Sequence, residues 1–134
     1  MLKGGCLCGA VRYQADGKPM GQAICHCRNC QKQGGSAFSV LISVDSSQLT
    51  VTGEPKLFLD HGDSGAPVHR HFCGTCGSPL FSILPANPAL THIKAGTLDD
   101  PSIMMPRVHV WCDSAWSSTL IADNAIRIPR NPPG

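Results

Sequence analysis

Phe38-Ser39-Val40-Leu41-Ile42-Ser43-Val44 carries the reading that decides the fold: Phe38, Val40, Ile42 and Val44 recur at every second position, with Ser39 and Ser43 on the alternate ones. A period of two puts successive side chains on opposite faces of an extended chain, so this stretch is predicted to be a half-buried strand. Outward from it, similar short runs occupy Ala10 to Ala15, Gln22 to Cys25, Leu49 to Thr52, Lys56 to Leu59, Val68 to Cys73, Pro79 to Leu84, Thr91 to Ala95, Arg107 to Trp111 and Ala125 to Ile128. Gly, Pro and Asp separate them, as expected of turns. The only segment predicted to turn helically is Asn29 to Gln33, which stops at Gly34-Gly35, where glycine permits a left-handed exit. Many short strands with short helical turns predict an all-β fold. A length of 134 residues suits a single domain, taken as 1–128, followed by an irregular Pro-rich tail over 129–134.

The cysteines point to chemistry. Seven of the eight fall in three clusters, Cys6-Leu7-Cys8, Cys25-His26-Cys27-Arg28-Asn29-Cys30 and Cys73-Gly74-Thr75-Cys76. Sulfur spacing this short suits zinc, which takes four ligands in a closed structural site and three in a site that keeps one position open. Two pairs can close one site, and the triplet is one ligand short. A disulfide framework is the rival reading. It fits poorly, because Met1 to Gly9 shows no secretory pattern and cysteines one residue apart bridge each other with difficulty. A reducing cytoplasm is the expected compartment. The net charge of +2 is too small to predict a nucleic-acid or acidic-membrane partner, and no apolar run reaches membrane-spanning length.

Three motifs in order carry a resemblance: Gly5-Cys6-Leu7-Cys8-Gly9-Ala10-Val11-Arg12-Tyr13, Cys25-His26-Cys27-Arg28-Asn29-Cys30, and Phe72-Cys73-Gly74-Thr75-Cys76-Gly77-Ser78-Pro79-Leu80-Phe81. Lys94-Ala95-Gly96-Thr97-Leu98-Asp99-Asp100-Pro101 and the Pro106, His109, Trp116 pattern follow. The sequence resembles the glutathione-dependent formaldehyde-activating enzyme family from about Gly4 to Trp116. The resemblance implies a zinc-stabilised β-sheet domain of the Mss4-like type. It further implies two Zn²⁺ per chain, a structural one on Cys6, Cys8, Cys73 and Cys76, and a catalytic one on Cys25, Cys27 and Cys30. The implied reaction is that of a carbon-sulfur lyase, adding glutathione's thiol to formaldehyde or a related aldehyde, or reversing the addition. Three thiolates already outweigh the Zn²⁺ charge, so a soft thiol suits the open position better than an activated water. His26, Arg28 and His109 are the expected proton donors, chosen by motif proximity or resemblance.

Each candidate has a plainer reading. His26 alternates away from Cys25 and Cys27 and is expected to be solvated if it is not catalytic. His69 and His71 are either neighbours of the structural metal or ordinary strand polarity. Cys112 is expected to be a free thiol, and Trp111, Trp116 and Met104-Met105 to be packing residues. The alternative function is a non-catalytic zinc module that binds a protein and, less readily, a nucleic acid. Thiol-disulfide exchange at the triplet would require those thiols to be metal-free. The oligomeric state is open.

Overall fold

The computed structural model describes residues 1–131. In chain order the strands are β1 (Leu2–Gly5), β2 (Arg12–Ala15), β3 (Gly21–Cys25), β4 (Ser39–Asp45), β5 (Leu49–Thr52), β6 (Lys56–His61), β7 (Pro67–Phe72), β8 (Pro79–Ile83), β9 (Leu90–Lys94), β10 (Val108–Val110) and β11 (Ile126–Arg127), with one α-helix, α1 (Arg28–Gly34). β1, β2 and β5 form a small sheet, and the other eight strands run β11-β10-β3-β4-β9-β8-β7-β6. The fold is all-β, of the Mss4-like class expected.

The alternation that predicted β4 decides its packing. Ile42, Ile93 and Phe81 pair across β4, β9 and β8 on one face of the large sheet, and with Val44 and Leu80 they share one cluster with Val11, Tyr13 and Ala15 of the small-sheet region. That is the apolar core, and the transfer of these side chains from water drives its assembly. The opposite face was expected to meet solvent, but Ser39 is buried there and accepts a 2.7 Å hydrogen bond from Lys94 Nζ, so β4 is covered on both sides at that end. α1 covers it, and its start and stop are both local. Cys27 is the N-cap, its sulfur accepting from the Cys30 N–H at 3.2 Å, and Gly35 leaves the helix at φ 71°, the left-handed conformation in which glycine costs least.

Three departures from the sequence reading stand out. The strand predicted from Ala10 begins only at Arg12, because Cys6 to Val11 folds back on itself: the Cys6 N–H donates to the Val11 carbonyl, and the Val11 N–H donates to Cys6 Sγ. β1 escaped prediction because Lys3-Gly4-Gly5 offers no apolar alternation. Its glycine is nonetheless required, since a Cβ on Gly4 would lie 2.3 Å from the Tyr13 hydroxyl oxygen. Helical turns are also more numerous than predicted, with 3-10 turns at Ser46–Gln48, Ala95–Thr97, Pro101–Ile103 and Cys112–Ser114. Asp45 and Asp100 cap two of them. In the tail, Arg130 accepts from the Trp111 N–H and Pro129 from the Asp113 N–H; positions 132–134 lie outside the described residues.

Candidate metal centres and thiol cavity

Cys6, Cys8, Cys73 and Cys76 converge with their sulfurs all within 4.8 Å of one another. The Cys6–Cys8 and Cys8–Cys73 sulfur distances are 3.6 and 3.7 Å. A tetrahedron of metal–sulfur bonds at about 2.3 Å has edges of about 3.8 Å, so the spacing fits a metal such as zinc. Backbone N–H groups point at these sulfurs: Val11 N–H reaches Cys6 Sγ at 3.2 Å, and the N–H groups of Thr75 and Cys76 approach Cys73 Sγ at 3.4 and 3.5 Å. Ser78, 3.2 Å from Cys76 Sγ, holds that thiol down at about 5. Its hydroxyl also accepts from the Leu7 N–H, tying the first cysteine pair to the second. His71 stacks on Phe81 at a centroid distance of 4.6 Å.

The second cluster is Cys25, Cys27 and Cys30, all buried, with sulfurs inside the same 4.8 Å limit. β3 delivers Cys25, the first helical turn delivers Cys30, and Cys27 caps the junction. No fourth cysteine joins them: Cys112 Sγ lies instead 3.4 Å from the His109 carbonyl. Hydrogen bonding among the three thiols pushes Cys25 up and Cys30 down, and the charges of Lys94 and Arg70 favour the Cys30 thiolate. Three donors fit a metal with one position free. The three cysteines line a cavity of about 310 Å³ with walls from Ala23, Leu41, Val68, Leu84, Val110 and Trp111. Trp111 takes φ 57°, unusual for a bulky residue, and its indole N–H donates to Asn131 at 2.8 Å.

The proton-donor candidates sit elsewhere. His26 is fully buried, not solvated, and its Nε2 lies 2.9 Å from His109 Nδ1 with the rings stacked. Neither imidazole lines the cavity, and neither does Arg28. Arg28 points away to Gln31, while its backbone N–H donates to Asp63. The charged groups at the cavity are Arg70 and Asp63, and sequence reading missed both. Arg70 Nε donates to Asp60 Oδ2 at 2.8 Å, and Asn29 of α1 donates to the same oxygen at 3.2 Å and to the His61 carbonyl at 2.6 Å. The β6–β7 hairpin therefore clamps the helix that carries Cys30. Gln31, also missed, donates to the His26 and Ser114 carbonyls at 2.8 and 3.0 Å and accepts from the Trp116 indole.

Burial holds His26, His71, His92 and His109 below the usual imidazole range. An imidazole depressed in the folded state binds fewer protons than in the unfolded chain once pH falls below about 6.5, so stability is present above that value and declines below it. The urea midpoint is expected to drop between about pH 7.5 and about pH 5.5 while metal content stays constant. An unchanged midpoint would contradict the neutral buried imidazoles.

Comparison with known proteins agrees with this architecture. A solved protein of Rhodobacter sphaeroides shares the fold at a TM-score of 0.58 and 23% identity, over 78% of this chain and 92% of its own. A protein of Halomonas elongata described as a glutathione-dependent formaldehyde-activating enzyme is 32% identical over 120 residues, 85% of this chain and 76% of its own length. One of Emericella nidulans with the same description is 41% identical over 58 residues, only 42% of this chain and 28% of its own. The profile described as glutathione-dependent formaldehyde-activating enzyme matches residues 1–114, and the chain belongs to that family.

Proposed function

We propose that the protein is a zinc-dependent carbon-sulfur lyase that adds an aldehyde, formaldehyde or a relative, to the thiol of glutathione and reverses that addition. The observation that carries the reading is the buried three-thiol cluster opening on a cavity, with no fourth cysteine in it. Zinc held by Cys25, Cys27 and Cys30 would supply a soft Lewis acid with a position suited to sulfur. Leu41, Val68, Leu84, Val110 and Trp111 keep bulk water from the reacting thiol. Arg70 and Lys94 compensate the negative charge collected around Cys30. The Asn29–Asp60–Arg70 contacts hold helix, hairpin and guanidinium in fixed relation. The His26–His109 pair and Arg28 act in this reading by bracing the segment that presents the thiols, from beside it and from the outer side of α1. Cys6, Cys8, Cys73 and Cys76 would hold the structural zinc.

Native mass spectrometry of the reduced protein, titrated with glutathione, tests the binding half, and NMR exchange between glutathione and its hydroxymethyl adduct tests the reaction. Two zincs, a bound thiol and accelerated exchange are expected. A second reading, the non-catalytic module, is favoured by the exposed Leu57, Phe58 and Leu59 of edge strand β6. One zinc with no thiol adduct would transfer support to it. Among the described residues no helix is long and apolar enough to cross a membrane.

A further inference from the structure

The cavity floor contains a polar row that neither the motifs nor the metal clusters use. Strand register places Arg70 of β7 opposite Ser82 of β8, Ser82 opposite His92 of β9, and His92 opposite Ser43 of β4. Directly paired residues of neighbouring strands project from the same face, and all four of these line the cavity that holds Cys25, Cys27 and Cys30. Ser43 Oγ lies 2.7 Å from His92 Nδ1, fixing the ring. His92 Nε2 is buried and has no hydrogen-bond partner among the described residues. A buried polar atom without a partner is uncommon, and in a cavity wall the missing partner is naturally supplied by what the cavity binds. The other charged or titratable groups around this floor are Arg70 with its Asp60 partner, Asp63 from the hairpin turn, Lys94 on the same strand as His92, and the three thiols.

We infer that His92, oriented by Ser43, carries the proton between the thiol and the aldehyde oxygen, with Arg70 at the far end of the row facing that oxygen. The inference rests on the thiol–aldehyde reading above. With Nδ1–H donated to Ser43 Oγ, Nε2 presents a lone pair. The thiol proton passes to Nε2, the sulfur pair forms the C–S bond to the aldehyde carbon, and the carbonyl π pair moves onto oxygen beside the guanidinium. The proton on Nε2 then passes to that oxygen. S–H and the C=O π bond are lost, C–S and O–H are gained, and His92 ends as it began, with no oxidant or reductant required. A guanidinium does not give up its proton at these pH values, so Arg70 stabilises charge while the imidazole moves the proton.

The test compares zinc-loaded wild-type protein with His92→Asn, whose amide can still bond Ser43 but has nothing at the Nε2 position. NMR exchange of glutathione with S-hydroxymethylglutathione is followed across neutral pH, with native mass spectrometry giving metal content and glutathione affinity. His92→Asn is expected to lose about 10²-fold or more in rate and the imidazole limb of the pH profile, with both metals and the glutathione affinity kept. An equally fast variant with the wild-type pH profile overturns the inference and leaves the thiol–aldehyde reading standing. A wild-type protein that catalyses no exchange overturns both. Should His92→Asn fail to hold its metals, Ser43→Ala decides: about a 10-fold loss with a displaced pH profile is expected, and an unchanged profile overturns the proposal.

Discussion

Cys76→Ser is expected to abolish the cooperative fold, leaving a chain without dispersed NMR resonances and with at most one bound metal. The four-cysteine cluster joins the turn at Cys6–Cys8 to the turn at Cys73–Cys76, and its buried members Cys6 and Cys73 belong to the main apolar core. Structural zinc in a small domain supplies about 10–16 kcal/mol of apparent binding energy, whereas a domain of this size is stable by only about 5–15 kcal/mol. Losing one of four ligands therefore removes a contribution comparable to the whole. It also deletes the thiol that Ser78 holds near 5, on the site whose two halves the Ser78 hydroxyl bridges. Circular dichroism and a heteronuclear NMR spectrum read the outcome, and a native-like spectrum for Cys76→Ser would refute it.

Cys27→Ser should do the reverse, keeping the fold while removing the metal and the bound thiol proposed for the cavity. Cys27 is the N-cap of α1, and serine is a preferred N-cap, so the replacement oxygen can take over the bond from the Cys30 N–H. The hairpin clamp through Asn29, Asp60 and Arg70 does not involve Cys27. The metal-binding set falls from three sulfurs to two, and the adduct-exchange rate is expected to fall about 10³-fold or more, to the uncatalysed level if the metal is essential. Native mass spectrometry should show one zinc fewer and no glutathione adduct. Equal damage from Cys27→Ser and Cys76→Ser would end the division of labour between the two clusters.

The sequence made the framework legible because strand periodicity and cysteine spacing are local signals. β5 runs from Leu49 to Thr52 as read, α1 encloses the predicted Asn29 to Gln33, and the thiols pair as the resemblance implied. What stayed hidden depends on contacts across the sheet. Ser43, Arg70, Ser82 and His92 look like the solvent side of alternating strands, and only strand order brings them to one floor beneath α1 and the hairpin turn. A pointer existed in principle: Arg70 and Lys94 sit in strands that otherwise read as well packed, and a cation there needs a partner. His26 and His109 are chosen by motif proximity or resemblance; a period of two sends His26, between two cavity-lining cysteines, away from the cavity, and burial pairs the two rings with each other.

The separation within the four-cysteine cluster also sets an order of events during synthesis. Cys8 and Cys73 are 65 positions apart. At about 5–20 residues per second, a ribosome takes roughly 3–13 s to deliver the second half of that cluster after the first. Once Cys30 has been added, the nascent chain displays five thiols, the three of Cys25 to Cys30 and the two of the first pair, which alone still lacks its final complement. The triplet is complete in itself and would be the first set able to capture the proposed metal. In the proposed two-zinc protein the earlier pair would wait for the later one or borrow from the triplet, and metal supply during translation would decide which cluster each ion enters.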